Sequence, residues 1–396
     1  IRRPPRSTQG VSSAASDVYK RQEEIEEPII QDDVSIQIAT QRQLIWRRFK
    51  RHRLGFASAI VVLLFYVLVL FADFFSTSLP VKYGAARGFM PPQGIQFFEE
   101  GHFLSVCKVN GERDMESFLM VHTQDCNVRE PLSFFGKGYE YKLWGLFTTE
   151  RHLVGMSNPD ANADEWIHIM GTDKQGRDVY SRLMHGTRVS LTIGLIGVAL
   201  SIVFGIFIGS ISGYYGGLID SLLQRFIEII RSVPTIPLYM GFSSAFPEDW
   251  TINQVYFMIT IIISLFAWTD LARVIRGRFL SLRDEDFVVA ARLNGASTMR
   301  VVFVHMLPSF YSHVIAQASL ALPLMIITET SLSYLGLGLR PPAVSYGVLL
   351  KDAQNVQAVA HTPWLFLPGV AVIVVILALN FMGDGIRDAA DPYQEV

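Results

Sequence analysis

Long apolar runs alternate with short polar ones along this chain. Stretches near 55–75, 188–213, 221–246, 252–272, 309–335 and 363–383 are each about 20 residues or longer, enough as helix to cross a hydrocarbon core of roughly 30 Å. Residues 254–269 (QVYFMITIIISLFAWT) carry no charge at all, whereas a soluble helix keeps a polar face. The pattern predicts an all-α polytopic membrane protein with six spanning helices. Between the first two runs the period changes. IQFF (95–98) and HFLSVCKVN (102–110) flank the turn-like EEG and read as a β-hairpin, and YEYKLWGLF (139–147) alternates like a further strand. A small, mostly β insert is expected over 76–185, with the transmembrane unit resuming over 186–388.

Composition agrees with this class. Half of the residues are apolar and 18% are charged, against about a quarter charged in an ordinary soluble domain. A net charge of −2 supplies no bulk attraction for nucleic acid. The distribution of charge says more. RQLIWRRFKRHR (42–53) directly precedes the first run, and cations flanking a span mark its cytoplasmic side. Leu44, Ile45 and Phe49 interleave with those cations, as in an amphipathic helix lying on a membrane surface. Residues 23–54 therefore read as a cytoplasmic tail and helix. Six spans return 389–396 to the same side, and place Arg273, Arg276, Arg278, Arg283, Arg292 and Arg300 there too. Residues 1–22 (IRRPPRSTQGVSSAASDVYKRQ) have the Ser/Ala/Pro/Arg bias of disorder, and are expected to be a disordered leader or an assembly artefact outside the fold.

Both cysteines, Cys107 and Cys126, fall in the insert. On the outer side of a membrane they can oxidise to a disulfide; two free buried thiols are the alternative. Two Cys with a scattered His122 have no metal-ligand spacing, so no metal site is expected. Arg225 and Glu228, three residues apart, read as an internally satisfied ion pair. Pro234, Pro237 and Pro323 should bend their helices.

One segment interrupts the apolar pattern without being part of the insert: DFVVAARLNGASTMRVVFVHMLPS (286–309). Asp284, Glu285 and Asp286 supply an acidic start for a helix ending near Leu293, and Asn294-Gly295 suits a left-handed stop. Ser297 or Thr298 can cap a second helix, which Pro308 should end before the fifth span begins. Ala290 and Ala291 smooth one surface of this helix–turn–helix, so that another protein can approach closely. His305 has no nucleophile or carboxylate partner in the segment, so nothing in it is catalytic.

AA-x3-G-x9-H-x-L-P, formed by Ala290, Ala291, Gly295, His305, Leu307 and Pro308, resembles the EAA loop of bacterial ABC importer permeases, with Val289 where that family usually has Glu. GTDKQGRDVYSRLMHGTRVSL (171–191), GYYGGLID (213–220), ETSLSYLGLGL (329–339), NFMGDGIRDAADP (380–392) and the basic helix before the first span are similar to the C-type permeases of dipeptide and oligopeptide importers. The first of these segments carries that group's signature residues Gly171, Thr172, Asp173, Gly176, Arg177 and Asp178. Together these motifs cover nearly all of the chain except 1–40 and the insert.

The resemblance implies the type-1 importer permease fold in a bacterial inner membrane, with both termini cytoplasmic and the loop 284–308 docking on an ATPase. It implies a sister permease, two ATPase subunits and an extracytoplasmic solute-binding protein as partners, besides the lipid bilayer. ATP and Mg would sit on the ATPases and no cofactor on this chain, which has no G-x4-G-K-[ST] phosphate cradle. Peptides are the first expectation for cargo; oligosaccharides, nickel or other solutes are the alternatives. A transporter driven by an ion gradient would need an ionisable group near the midplane. Glu329 is the only candidate, and at 1.5 Å per residue it lies about 30 Å along the fifth span from Ser309, near its outer end. Glu329 is either a structural hydrogen-bond acceptor or, with Pro323, part of a gate.

Overall fold

The computed structural model describes residues 40–99, 102–115, 120–158, 160–247, 249–354 and 361–390. The expectations for 1–22 and for the two tails fall wholly or largely outside these residues. Within them, five helices are long and apolar enough to cross a membrane: α2 (Arg53–Leu70), α3 (Val179–Tyr215), α6 (Ile252–Leu282), α8 (Thr298–Tyr334) and a helical stretch over Pro363–Ala390, whose α-helical part we term α10 (Leu367–Ala390). α1 (Gln41–Arg51) leads into α2, and the Gln43 side chain accepts from its N-cap amide, Thr40, at 3.0 Å.

The expected span over 221–246 takes a different form. It consists of α4 (Gly217–Ser232) and α5 (Thr235–Ser244), interrupted at Val233 and Pro234. Proline disfavours a helical residue before it and cannot donate to the preceding turn, so the helix stops and restarts there. Pro237 causes no second break, because in the first turn of α5 its missing N–H would have no partner in any case.

Close packing of the bundle rests on small residues. Along α3, Gly205, Gly209 and Gly213 recur every four residues and face α6. A Cβ on Gly209 would come within 2.6 Å of the Ala272 carbonyl oxygen, and one on Gly213 within 2.5 Å of the Phe279 Cβ. Gly55 and Gly385 do the same for α2 against α10, where a Cβ on Gly55 would lie 2.9 Å from the Gly385 Cα. Lipid tails are as apolar as leucine, so burial alone gives helices in a bilayer little reason to associate; backbone approach of this kind supplies the dispersion contact instead.

Between α2 and α3 lies a six-stranded sheet: β1 (Ile95–Glu99), β2 (His102–Arg113), β3 (Met120–Phe134), β4 (Lys137–Leu143), β5 (Phe147–Arg151) and β6 (Val154–Met156), in the order β1-β2-β3-β6-β4-β5. The paired strands are antiparallel. YEYKLWGLF is not one strand, since Trp144 and Gly145 take positive φ and turn the chain from β4 into β5. Leu104, Val106, Leu132 and Met156 bury one face against Ala163 and Ile167. The β2–β3 ladder shifts register after Cys107, leaving Cys126 in the bulge between Asp125 and Arg129. There the two sulfurs are bonded, with Cα atoms 4.6 Å apart.

Candidate functional site

At the end of the bundle away from the sheet, α6 gives way to α7 (Asp286–Leu293). Glu285 is its N-cap in extended conformation, and Gly295 closes it with φ of +76°. Gly295 N–H reaches the Arg292 carbonyl and Ala296 N–H the Ala291 carbonyl, so the final carbonyls are not orphaned. Only one flank of α7 is anchored. Val288 is fully buried against Val301, Val302 and Met306, and Ala291 and Ala296 pack on the same cluster. Ala291 thus belongs to the footing of the helix and not to its open surface. Ala290 lies on the open side, together with Phe287, Val289 and Leu293, the last 84% exposed. An isolated leucine on a surface is ordinary, but four adjacent apolar residues on a helix that projects from the bundle form a contact surface.

The second half of the segment differs from the sequence expectation in the form of its helix. Pro308 falls in a 3₁₀ turn, and the regular α-helix of the fifth span starts at Tyr311, behind Phe310 with φ of −132°; Thr298–Tyr334 is one helical path with this interruption in it. The helix widens to a π-form over Val301–Met306, then tightens to a 3₁₀ turn over Leu307–Phe310. A proline ring clashes with the carbonyl four residues earlier, and the backbone rewinds locally and leaves the helical region at Phe310 before the regular helix resumes. Met306 and Leu307 are buried there, whereas His305 is half-buried. The surface is tied to the neighbouring helices. The Arg292 guanidinium sits over the Tyr214 ring at the end of α3. Next to it, Arg276 of α6 grips Asp220 of α4 through Nε to Oδ1 at 2.5 Å and Nη2 to Oδ2 at 2.6 Å. Arg225 and Glu228 pair on α4 at 2.9 Å.

The opposite end holds the glycine- and aspartate-rich signature. Gly171 and Gly176 take positive φ, and a Cβ on Gly176 would strike the Gly84 carbonyl. This places Asp173 where its backbone-facing Oδ1 accepts from the amides of Gln175 and Arg177. Its Oδ2 meets Arg177 Nε at 2.7 Å and also Arg182. Both arginines continue to Asp352, in α9 (Tyr346–Asp352), at 3.0 and 2.8 Å. Arg177 and Arg182 are almost wholly enclosed, which paired guanidinium groups tolerate. Asp178 caps α3 through Ser181 N–H at 2.7 Å, and the Thr172 hydroxyl accepts from Met90 N–H at 2.9 Å. The six signature residues therefore fasten the start of α3 to α9 and to the segment before the sheet. Sequence reading did not single out Arg182 or Asp352, the latter far away in the chain.

Glu329 lies close by and is fully buried in α8. Ser190 of α3 donates to its Oε2 at 2.7 Å and Ser333 to its Oε1 at 2.8 Å. Ser190 also accepts from the Tyr346 amide of α9 at 3.1 Å. The carboxylate thus joins α8 to α3, and Ser190 carries the link on to α9. α8 continues through Pro323, itself buried. Glu329, Ser190 and Ser333 form a polar knot, and the latch at Asp173, Arg177, Arg182 and Asp352 is a second one on the same helices α3 and α9.

Comparison with known proteins agrees with this architecture. Residues 205–395 match the family described as binding-protein-dependent transport system inner membrane component, and residues 40–92 match the N-terminal TM domain of oligopeptide transport permease C. A putative peptide permease protein of Brucella suis is 37% identical over 65% of this chain and 82% of its own length. The oligopeptide transport system permease protein OppC of Haemophilus influenzae is 39% identical over 65% and 78%. The dipeptide transport system permease protein DppC of Alkalihalophilus pseudofirmus is 35% identical over 57% and 72%. By its helices, its motifs and these relatives, the chain belongs to the family of binding-protein-dependent transport system inner membrane components, as a permease of the OppC/DppC type.

Proposed function

We propose that this chain is one permease subunit of an ATP-driven importer of dipeptides or oligopeptides, forming half of the translocation pathway with a sister permease. Two ATPase subunits would bind ATP and Mg and drive it, and an extracytoplasmic binding protein would deliver the peptide. The observation that carries the proposal is the α7 surface, an apolar projection footed on Val288 and linked through Arg292 to α3. A membrane bundle without a nucleotide site needs a place to receive force, and α7 offers it.

In this reading α4 and α5 together make a sixth crossing. Their 16 and 10 residues extend about 39 Å at 1.5 Å per residue, enough for the bilayer. Both termini and α7 then lie in the cytoplasm, where the basic clusters favour them, and the sheet lies outside, where a disulfide persists. Arg225 and Arg231, exposed on α4, would face the sister subunit or the aqueous path rather than lipid.

Reconstitution with the three partner types tests the proposal. Uptake of a labelled oligopeptide should require ATP and the binding protein, and should persist when ion gradients are collapsed. Uptake that follows an ion gradient and ignores ATP would overturn it.

A further inference from the structure

The turn joining β4 to β5 presents Trp144, Leu146 and Phe147, which are 56%, 75% and 63% exposed. Trp144 holds φ of +52° to do so, a conformation that is strained for a non-glycine residue. Strain retained in a turn that exposes three large apolar side chains calls for something to cover them.

The direction of the hairpin indicates what. Its base is fixed beside residues 73 and 74. His152 bridges the Asp73 and Tyr139 carbonyls at 2.9 Å each, and Leu153 N–H donates to the Phe74 carbonyl at 2.8 Å. The tip reaches back toward the span. Trp144 Nε1 donates to the Leu70 carbonyl at 3.0 Å, and its ring lies 5.4 Å from that of Phe71. Leu70 is the last residue of α2, whose Leu63, Leu64 and Leu70 are themselves exposed. The apolar tip is therefore level with the rim of a spanning helix and continuous with that helix's open apolar surface.

We propose that the β4–β5 tip is a membrane-interface anchor, with Trp144, Leu146 and Phe147 seated at the boundary between headgroups and acyl chains on the sheet's side of the bilayer. Tryptophan suits that depth, its ring in the apolar layer and its N–H satisfied. The sheet is thereby held against the membrane at a third point besides its two chain connections, with a fixed tilt over the bundle.

The test places a nitroxide at Leu146→Cys in the full chain, assembled with its partner subunits in lipid nanodiscs, with Glu112→Cys on β2 as a water-exposed reference. The anchor predicts an oxygen-to-nickel-chelate accessibility ratio several-fold above that of the reference. A ratio equal to the reference puts the tip in water and overturns the proposal. Protection from both reagents puts the tip beneath protein and overturns it equally. The readout needs no transport, so it stands apart from the peptide-uptake experiment.

Discussion

The Arg292 guanidinium carbon lies 4.8 Å from the centre of the Tyr214 ring. One residue belongs to α7, the other to the last turn of α3, the helix that packs most extensively on α6. A push on α7 therefore reaches α3 by a direct contact as well as through the chain.

Tyr214→Ala should remove a cation–π contact worth about 0.5–1 kcal/mol at a partly exposed site. The fold should tolerate that loss. Peptide-stimulated ATP hydrolysis per peptide taken up should rise as force transmission slackens, and Tyr214→Phe should restore the wild-type ratio. An unchanged ratio in Tyr214→Ala would remove this contact from the coupling route.

Arg182 is 1% exposed and shared between Asp173 and Asp352. Removing it leaves two carboxylates sharing Arg177 alone, one buried negative charge in excess, and an uncompensated buried charge costs about 3–5 kcal/mol. Arg182→Met should accordingly lower the thermal unfolding midpoint sharply. Adding Asp352→Asn should recover part of it, because the excess charge disappears and Asp173 keeps Arg177. Strictly additive losses in the double variant would show that the pair is not coupled.

The disulfide closes a loop of sequence separation 19, worth roughly 3 kcal/mol in the chain-entropy model. Replacing Cys107 and Cys126 with Ala should make the sheet proteolyse faster while the spanning helices remain protected. A digest of the native protein under non-reducing conditions should yield the linked peptide pair. Recovery of both thiols free after extraction under alkylating conditions would contradict this.

Much of the architecture is legible in the sequence because it depends on local rules. Apolar run length marks the spanning helices, and Asn294-Gly295 marks the end of α7, where only a residue tolerant of positive φ fits. The misread elements depend on context. Pro308 reads as a stop, and the regular helix does restart at Tyr311, but the π-form over 301–306 that precedes it has no local signal. Pro234 reads as a bend, yet it separates two helices. Ala290 and Ala291 look alike on paper, and only the position of Val288 tells which of them faces the core. The latch from Arg182 to Asp352 spans 170 residues, and no local spacing signals a contact of that separation.

The central claim is that α7 is where an ATPase docks, and Leu293 tests it most directly, being the most exposed large apolar side chain of that helix with no part in its footing. Leu293→Asp should leave the bundle folded, since nothing buried is touched. The measurement is the ratio of ATPase subunits to permease in affinity-purified complexes. Desolvating a carboxylate in an apolar contact costs several kcal/mol, so the ratio should fall at least tenfold relative to wild type, and peptide uptake with it. Leu293→Asp complexes that retain a full complement of ATPase subunits and full uptake would contradict the account.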